Sequence, residues 1–252
     1  MKTSWGNVAN WYDGVVNDED SYQNKILLPN ILRIVEPAKG KTLLDIACGQ
    51  GFFSHAMAAK GARVFGIDIS PELVEIATKH AGHAEEFHTM SAEDIGKLKT
   101  ASFDAAFSVL AIQNIEHMAK AFKEASRVLK PGGKLVLVLN HPAFRIPGKS
   151  AWGNDDAAGV QYRRVDEYLS ESRKDMDMNP ANPGKEMTVS FHRPLQAYSK
   201  SLANAGFSIA RIEEWTSHKE SQKGPHKIVE DRARKEIPLF MCLECVKVAS
   251  HA

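Results

Sequence analysis

At 252 residues, 43% hydrophobic and 25% charged, the chain has the make-up of one large globular domain, or one domain with a sizeable insertion. A formal net charge of +1, with dispersed positives, provides no field to gather nucleic acid, and no apolar run approaches the roughly 20 residues of a membrane span. Three sparse cysteines, and a start at Met1 to Asn7 without the apolar centre of a signal peptide, make a cytoplasmic location the expectation.

Residues 1–40 read as an N-terminal extension or flap. Ile26, Leu27, Ile31, Leu32 and Val35 recur at near-helical spacing, with Pro29 as a kink. Ahead of them lie Trp5, Trp11, Tyr12 and Tyr22 in a polar setting. Residues 41–140 then alternate strand and helix, the pattern of a parallel sheet covered on both faces. Strands are predicted at 42–47, 62–67, 85–89, 103–109 and 134–140, and helices at 52–60, 71–80 and 114–129. Ser70-Pro-Glu72 starts a helix, with a serine cap, proline in the first turn, then an acid. Lys130-Pro-Gly-Gly133 reads as a stop and turn.

Regularity loosens over 141–193, where Asn179-Pro-Ala-Asn-Pro-Gly184 is loop material. Long irregular segments of this kind are usually functional, and this one follows the fifth strand at the sheet edge where ligands bind, so a substrate lid is expected. Residues 194–252 return to the same core, with a helix over 194–205, a strand from Phe207 to Ile212 and a last strand over 239–248. Cys242 and Cys245 have metal-ligand spacing, but residues three apart in a strand point to opposite faces and cannot hold one ion. No metal site is expected.

The densest signal is Asp45-Ile-Ala-Cys-Gly-Gln-Gly51, where an apolar strand carrying one acid breaks at a glycine turn and resumes as a helix. Unpaired N–H groups at a helix start, beside glycines that admit a ligand close to the backbone, form an anion cradle. Gly66-Ile-Asp68-Ile-Ser70 then ends the second strand in an acid placed to accept two hydrogen bonds from a ribose diol. These two stretches resemble the first two motifs of class I S-adenosylmethionine-dependent methyltransferases, over Ile34 to about Leu139. Glu124 to Gly133 looks like the small-molecule, type-11-like branch. The resemblance implies a Rossmann-like α/β fold with seven mostly parallel strands, helices on both faces and the last strand antiparallel.

It also implies a cofactor set for S-adenosyl-L-methionine. Asp45, Gly49 and Gly51 serve the aminoacyl end, Asp68 the ribose and Ile69 an adenine face. Ser91, Ala92 and Glu93 serve the adenine edge, with Ser91 standing where the family commonly has an acid. Ala47 and Ser108, near the ends of the first and fourth strands, complete the set, and Tyr12 or Tyr22 caps the site from the flap. Methyl transfer is an in-line displacement, so the protein chiefly aligns the reactants and removes a proton. His141 and His192, at the rim, are the candidate bases, with Gln113, Asn114 and His117 nearby. Arg163, Arg164 and Arg193 suit an acidic substrate. The chain lacks the Asn-Pro-Pro-Tyr signature of amino-group enzymes acting on nucleic acid, so a small organic acceptor, methylated on O, N or C, is expected. Two rivals remain: a non-catalytic partner subunit that keeps the fold, and an NAD(P)-dependent dehydrogenase. The second is disfavoured by Phe and His where a third glycine would stand.

Overall fold

A computed structural model describes residues 18–177 and 187–248. Tyr12 and its neighbouring aromatics, together with Asn179 to Gly184, lie outside these residues. Seven strands form one sheet: β1 (Thr42–Ile46), β2 (Arg63–Asp68), β3 (Glu85–Thr89), β4 (Phe103–Val109), β5 (Leu129–Asn140), β10 (Phe207–Trp215) and β11 (Phe240–Lys247). Their spatial order is β10-β11-β5-β4-β1-β2-β3. β1 to β5 are parallel, and β11 runs antiparallel between β5 and β10. This is the Rossmann-like arrangement expected from the motifs.

Alternation along the strands sends side chains into two cores. Leu44 and Ile46 of β1 join one cluster with Phe122, Leu137 and Leu202, while Leu43 joins the other with Met57, Phe107 and Ile31. The first face is covered by α4 (Met118–Val128) and α5 (Leu195–Asn204). The second is covered by α1 (Leu28–Val35) and α2 (Phe52–Ala59). α3 (Pro71–Lys79) packs Val74 and Ala77 against Phe87 of β3. Full burial of a Leu or Phe side chain contributes about 1.5–3 kcal/mol, so these two layers hold the strand ends in place. Cys242 and Cys245 fall in opposite clusters, as a strand requires, and burial pushes both thiols up to about 12.

Four local expectations change. Pro29 occupies the first turn of α1, where its missing N–H costs nothing, and a π-helical turn, Gln23–Leu27, precedes it. Lys130-Pro-Gly-Gly133 ends the helix but belongs to β5, entering the sheet through an irregularity opposite Phe103 and Ala105, with Gly132 at φ +73°. The loose stretch after β5 contains two antiparallel hairpins, β6 (Ser150–Asp155) with β7 (Val160–Val165) and β8 (Ser172–Asp177) with β9 (Met187–His192). α6 (Lys227–Glu236) packs against β7 and buries only Ala233, so no apolar stripe announces it.

Candidate functional site

The carboxyl ends of β1, β2 and β4 open into a cleft lined by Asp45, Ala47, Gly49, Gln50, Asp68 and Ile69. Ala47 has φ +60° and Leu110, one residue past β4, has φ +53°. Non-glycine residues held in this region are strained by about 1–3 kcal/mol and gather at ligand sites. Both border this cleft. Asp45 is buried and accepts a hydrogen bond from Ser54 Oγ at 2.7 Å. Burial raises its carboxyl to about 7, the Ser54 hydroxyl opposes this, and the Asp68 charge adds to it. Asp68 accepts the Gly49 N–H on Oδ2 and the Ser70 N–H on Oδ1, each at 2.9 Å. Burial raises its pKa and these backbone donors hold it back.

A carboxylate offers about four lone-pair sites, so each Asp68 oxygen still has capacity for one hydroxyl of a diol. Ile69 is exposed beside it, an apolar surface suited to a flat ring. Gln50 Nε2 is buried without a hydrogen-bond partner on the same lining. An orphaned donor and a partly protonated acid at one end, with a diol acceptor and an apolar face at the other, fit an amino acid joined to an adenosine.

Other residues of the expected set stand elsewhere. Gly51 is at φ +88° and outside the cleft lining. An added Cβ would lie 2.7 Å from His55 Nε2 and 3.2 Å from Ala77 Cβ, so the glycine serves the turn and helix packing rather than a ligand. Ser91, Ala92 and Glu93 are also outside the lining. Ser91 Oγ accepts the Glu93 N–H, Glu93 Oε1 accepts the His117 N–H at 3.0 Å, and Ala92 packs on the core. Ser108 is fully buried mid-sheet, its hydroxyl without a partner, away from the lining. Tyr22 bonds Ser217 Oγ at 3.0 Å and packs edge-on to His218 and Phe240, away from the cleft. His141 uses both ring nitrogens, Nε2 with Glu214 at 2.7 Å and Nδ1 as acceptor from the Ala143 and Phe144 N–H groups. Its burial lowers its pKa, partly offset by Glu214. It is a structural histidine, a role hidden in sequence because its partners are set by the fold.

A second cavity of about 440 Å³ lies beside the cleft, and Leu110 and Asn114 line both. Asn114 Nδ2 donates to Val189 O at 2.6 Å, and Arg193 Nη2 donates to the carbonyls of Ile115 and Glu116, so β9 is tied to the segment after β4. His192 lines this cavity. Its Nε2–H donates to Tyr168 O at 2.8 Å, so in the neutral ring it is Nδ1 that carries the lone pair. Arg163 lines it too, whereas Arg164 pairs with Asp166 on the surface. Sequence reasoning missed Leu110, Gln50 and Arg145. Leu110 and Arg145 carry no local signal, because a leucine gives no hint of positive φ and an isolated arginine none of a cavity, whereas Gln50 stands inside the glycine-turn motif.

Residues 44–137 match the family model described as a methyltransferase domain. Curated relatives include ubiquinone biosynthesis O-methyltransferases of Xanthomonas axonopodis pv. citri, 35% identical over 45% of this chain and 48% of theirs. The counterpart in Xanthomonas oryzae pv. oryzae is 37% identical over 39% and 42%. The chain thus spans about half the length of the curated relatives it matches. An S-adenosylmethionine-dependent methyltransferase structure from Mesorhizobium loti aligns over 86% of this chain and 96% of that one, with TM-score 0.69 and 24% identity. At that identity the likeness is one of fold. The methyltransferase motifs read from the sequence agree with both the family match and the structural neighbours.

Proposed function

We propose, from a Rossmann-like sheet that carries a methyltransferase-domain match at residues 44–137, that this protein transfers a methyl group from S-adenosylmethionine to a small organic acceptor, on O, N or C. The observation that carries this is the convergence of Asp45, Gly49, Gln50, Asp68 and Ile69 on one cleft that adjoins a second cavity through Leu110 and Asn114. When bound, the cofactor supplies a methyl group on a positively charged sulfur. The protein then has three tasks. Asp68 receives the ribose hydroxyls, Ile69 covers the adenine, and Asp45 with Gln50 and the Gly49 backbone meets the zwitterionic end. Leu110 and Asn114, as the shared wall, orient the acceptor toward the cleft. His192, its proton fixed on Nε2, takes the acceptor's proton on Nδ1.

In this reading residues 141–193 form the acceptor-binding part, residues 41–140 hold the donor, residues 194–252 complete the core, and residues 1–40 flank it. The relatives' name, ubiquinone biosynthesis O-methyltransferase, favours an oxygen acceptor among the three. Their match covers under half of this chain, while most of the acceptor cavity comes from residues after 137, so no particular acceptor follows from the name. Among the described residues no helix is long and apolar enough to cross a membrane. Calorimetry with S-adenosylhomocysteine tests the donor half, with binding expected in the wild type and at least a tenfold loss in Asp68→Ala. No heat with the wild type, or equal affinity in the variant, overturns it.

A further inference from the structure

The charged lining of the 440 Å³ cavity is three arginines, Arg145, Arg163 and Arg193, against one carboxylate, Asp177. None of the three forms an ion pair with a carboxylate among the described residues, where every other close arginine–acid contact involves Arg33, Arg63, Arg127, Arg164, Arg173 or Arg211. Arg163 is held by neutral groups, donating to Phe144 O at 2.7 Å and Ser150 Oγ at 2.9 Å, and it stacks over Trp152 at 5.1 Å. Arg193 is buried, bonded to two backbone carbonyls, and its Nη1 has no hydrogen-bond partner. The Arg145 side chain makes no hydrogen bond or ion pair with the described residues.

Three guanidiniums facing one carboxylate leave the wall with net positive charge. Partial desolvation lowers the pKa of Arg145, which stays more than a third exposed, and of half-buried Arg163, and the Arg145 charge lowers Arg163 further. Such a wall, carried by the β6–β7 hairpin, the loop after β5 and the residue after β9, is relieved when an anion enters. Guanidinium forks match carboxylate and phosphate oxygens in bidentate geometry, and the cavity admits a molecule of about ten non-hydrogen atoms or more.

We propose that the methyl acceptor carries an anionic group, carboxylate or phosphate, received by Arg145 and Arg163, with its nucleophilic atom toward Leu110, Asn114 and His192. This assignment rests on the methyltransferase reading for the word acceptor, but the anion site has its own test. NMR titration of the full chain with benzoate, phenyl phosphate and the neutral benzamide, with and without S-adenosylhomocysteine, separates charge from shape. Both or either anion is expected to bind at least tenfold more tightly than benzamide, and the tighter of the two names the group. Arg145→Gln is expected to weaken the preferred anion about tenfold or more while leaving S-adenosylhomocysteine affinity unchanged. Arg163→Lys keeps the charge but loses the fork and the stack on Trp152, so it is expected to bind the anion more weakly than wild type and more tightly than Arg163→Gln. Equal binding of benzamide, no binding of either anion, or undiminished anion affinity in Arg145→Gln overturns the proposal. If S-adenosylhomocysteine fails to bind while the anion does, the methyltransferase reading falls and the anion site stands.

Discussion

Replacing Asp45 by Asn separates what this acid does for the fold from what it does for the ligand. The carboxyl is buried, and its pKa rises from 3.8 in the unfolded chain to about 7. Between these values the folded protein binds the proton that the unfolded chain has lost. Stability therefore falls as pH rises from about 4 to about 7 and stays reduced above that. The shift of about three units, at 1.36 kcal/mol each, amounts to a penalty of about 4 kcal/mol at pH 8, as an upper bound. Asn is isosteric, carries no charge to bury and still accepts the Ser54 hydroxyl through its carbonyl oxygen. Urea denaturation is expected to find Asp45→Asn more stable than wild type by up to about 4 kcal/mol at pH 8.5 and by only about 1 kcal/mol at pH 4.5. S-adenosylhomocysteine affinity moves the other way, at least tenfold weaker, because the ammonium of the ligand loses its carboxylate partner. A stability difference that does not change with pH refutes the buried-acid account, and unchanged ligand affinity refutes the contact.

Four further outcomes are expected. Asp68→Asn turns an acceptor of two backbone N–H groups into a group that meets one of them with its own N–H, so thermal denaturation reads a loss of about 1–3 kcal/mol and calorimetry a tenfold weaker ligand. Gly51→Ala places a Cβ against His55 at φ +88° and costs about 1–3 kcal/mol by denaturant titration; wild-type stability in the variant contradicts the packing role. His141 has its pKa lowered by burial, so the fold keeps it neutral and stability declines as pH falls through the unfolded value near 6.5; His141→Gln flattens that decline in melting scans from pH 7.5 to 5.5 and leaves ligand affinity unchanged. His192→Gln is expected to lower kcat about 10²-fold or more toward any acceptor that turns over, with S-adenosylhomocysteine affinity unchanged, and an unaltered rate removes it as the base.

The sheet was legible because its central strands are buried on both faces. Leu43 to Ile46, Phe103 to Phe107 and Leu135 to Leu139 read as apolar runs for that reason. The glycine turn and the Ser70 cap were legible because their chemistry is local, the cap closing on Leu73 N–H three residues away. The hairpins were not. β6 and β7 bury almost nothing, so no alternation marks them, and what stabilises them is pairing and the α6 helix that arrives over sixty residues later. Glu93 was illegible for a related reason: the sequence gives no sign that the fold brings its carboxylate under the His117 N–H.

The same physics explains why donor and acceptor differ in how far relatives inform on them. The cleft proposed for the donor is made of turn and strand-end residues within 45–73, plus one wall at 109–115, all inside the matched segment. The adjoining cavity draws on Leu110, Gln113 and Asn114 within that segment and otherwise on residues outside it, among them Asn140, Arg145, Arg163, Thr188 and His192. Arg145 and the exposed side chains of the β6–β7 hairpin are exchanged at small cost in stability, since exposed substitutions usually change it by under about 0.5 kcal/mol, whereas Thr188 and His192 are buried. Chains that keep residues 44–137 in common can therefore keep one donor while diverging in acceptor. On the proposed reading the arginines at 145 and 163, outside the shared motifs, carry the acceptor specificity of this chain.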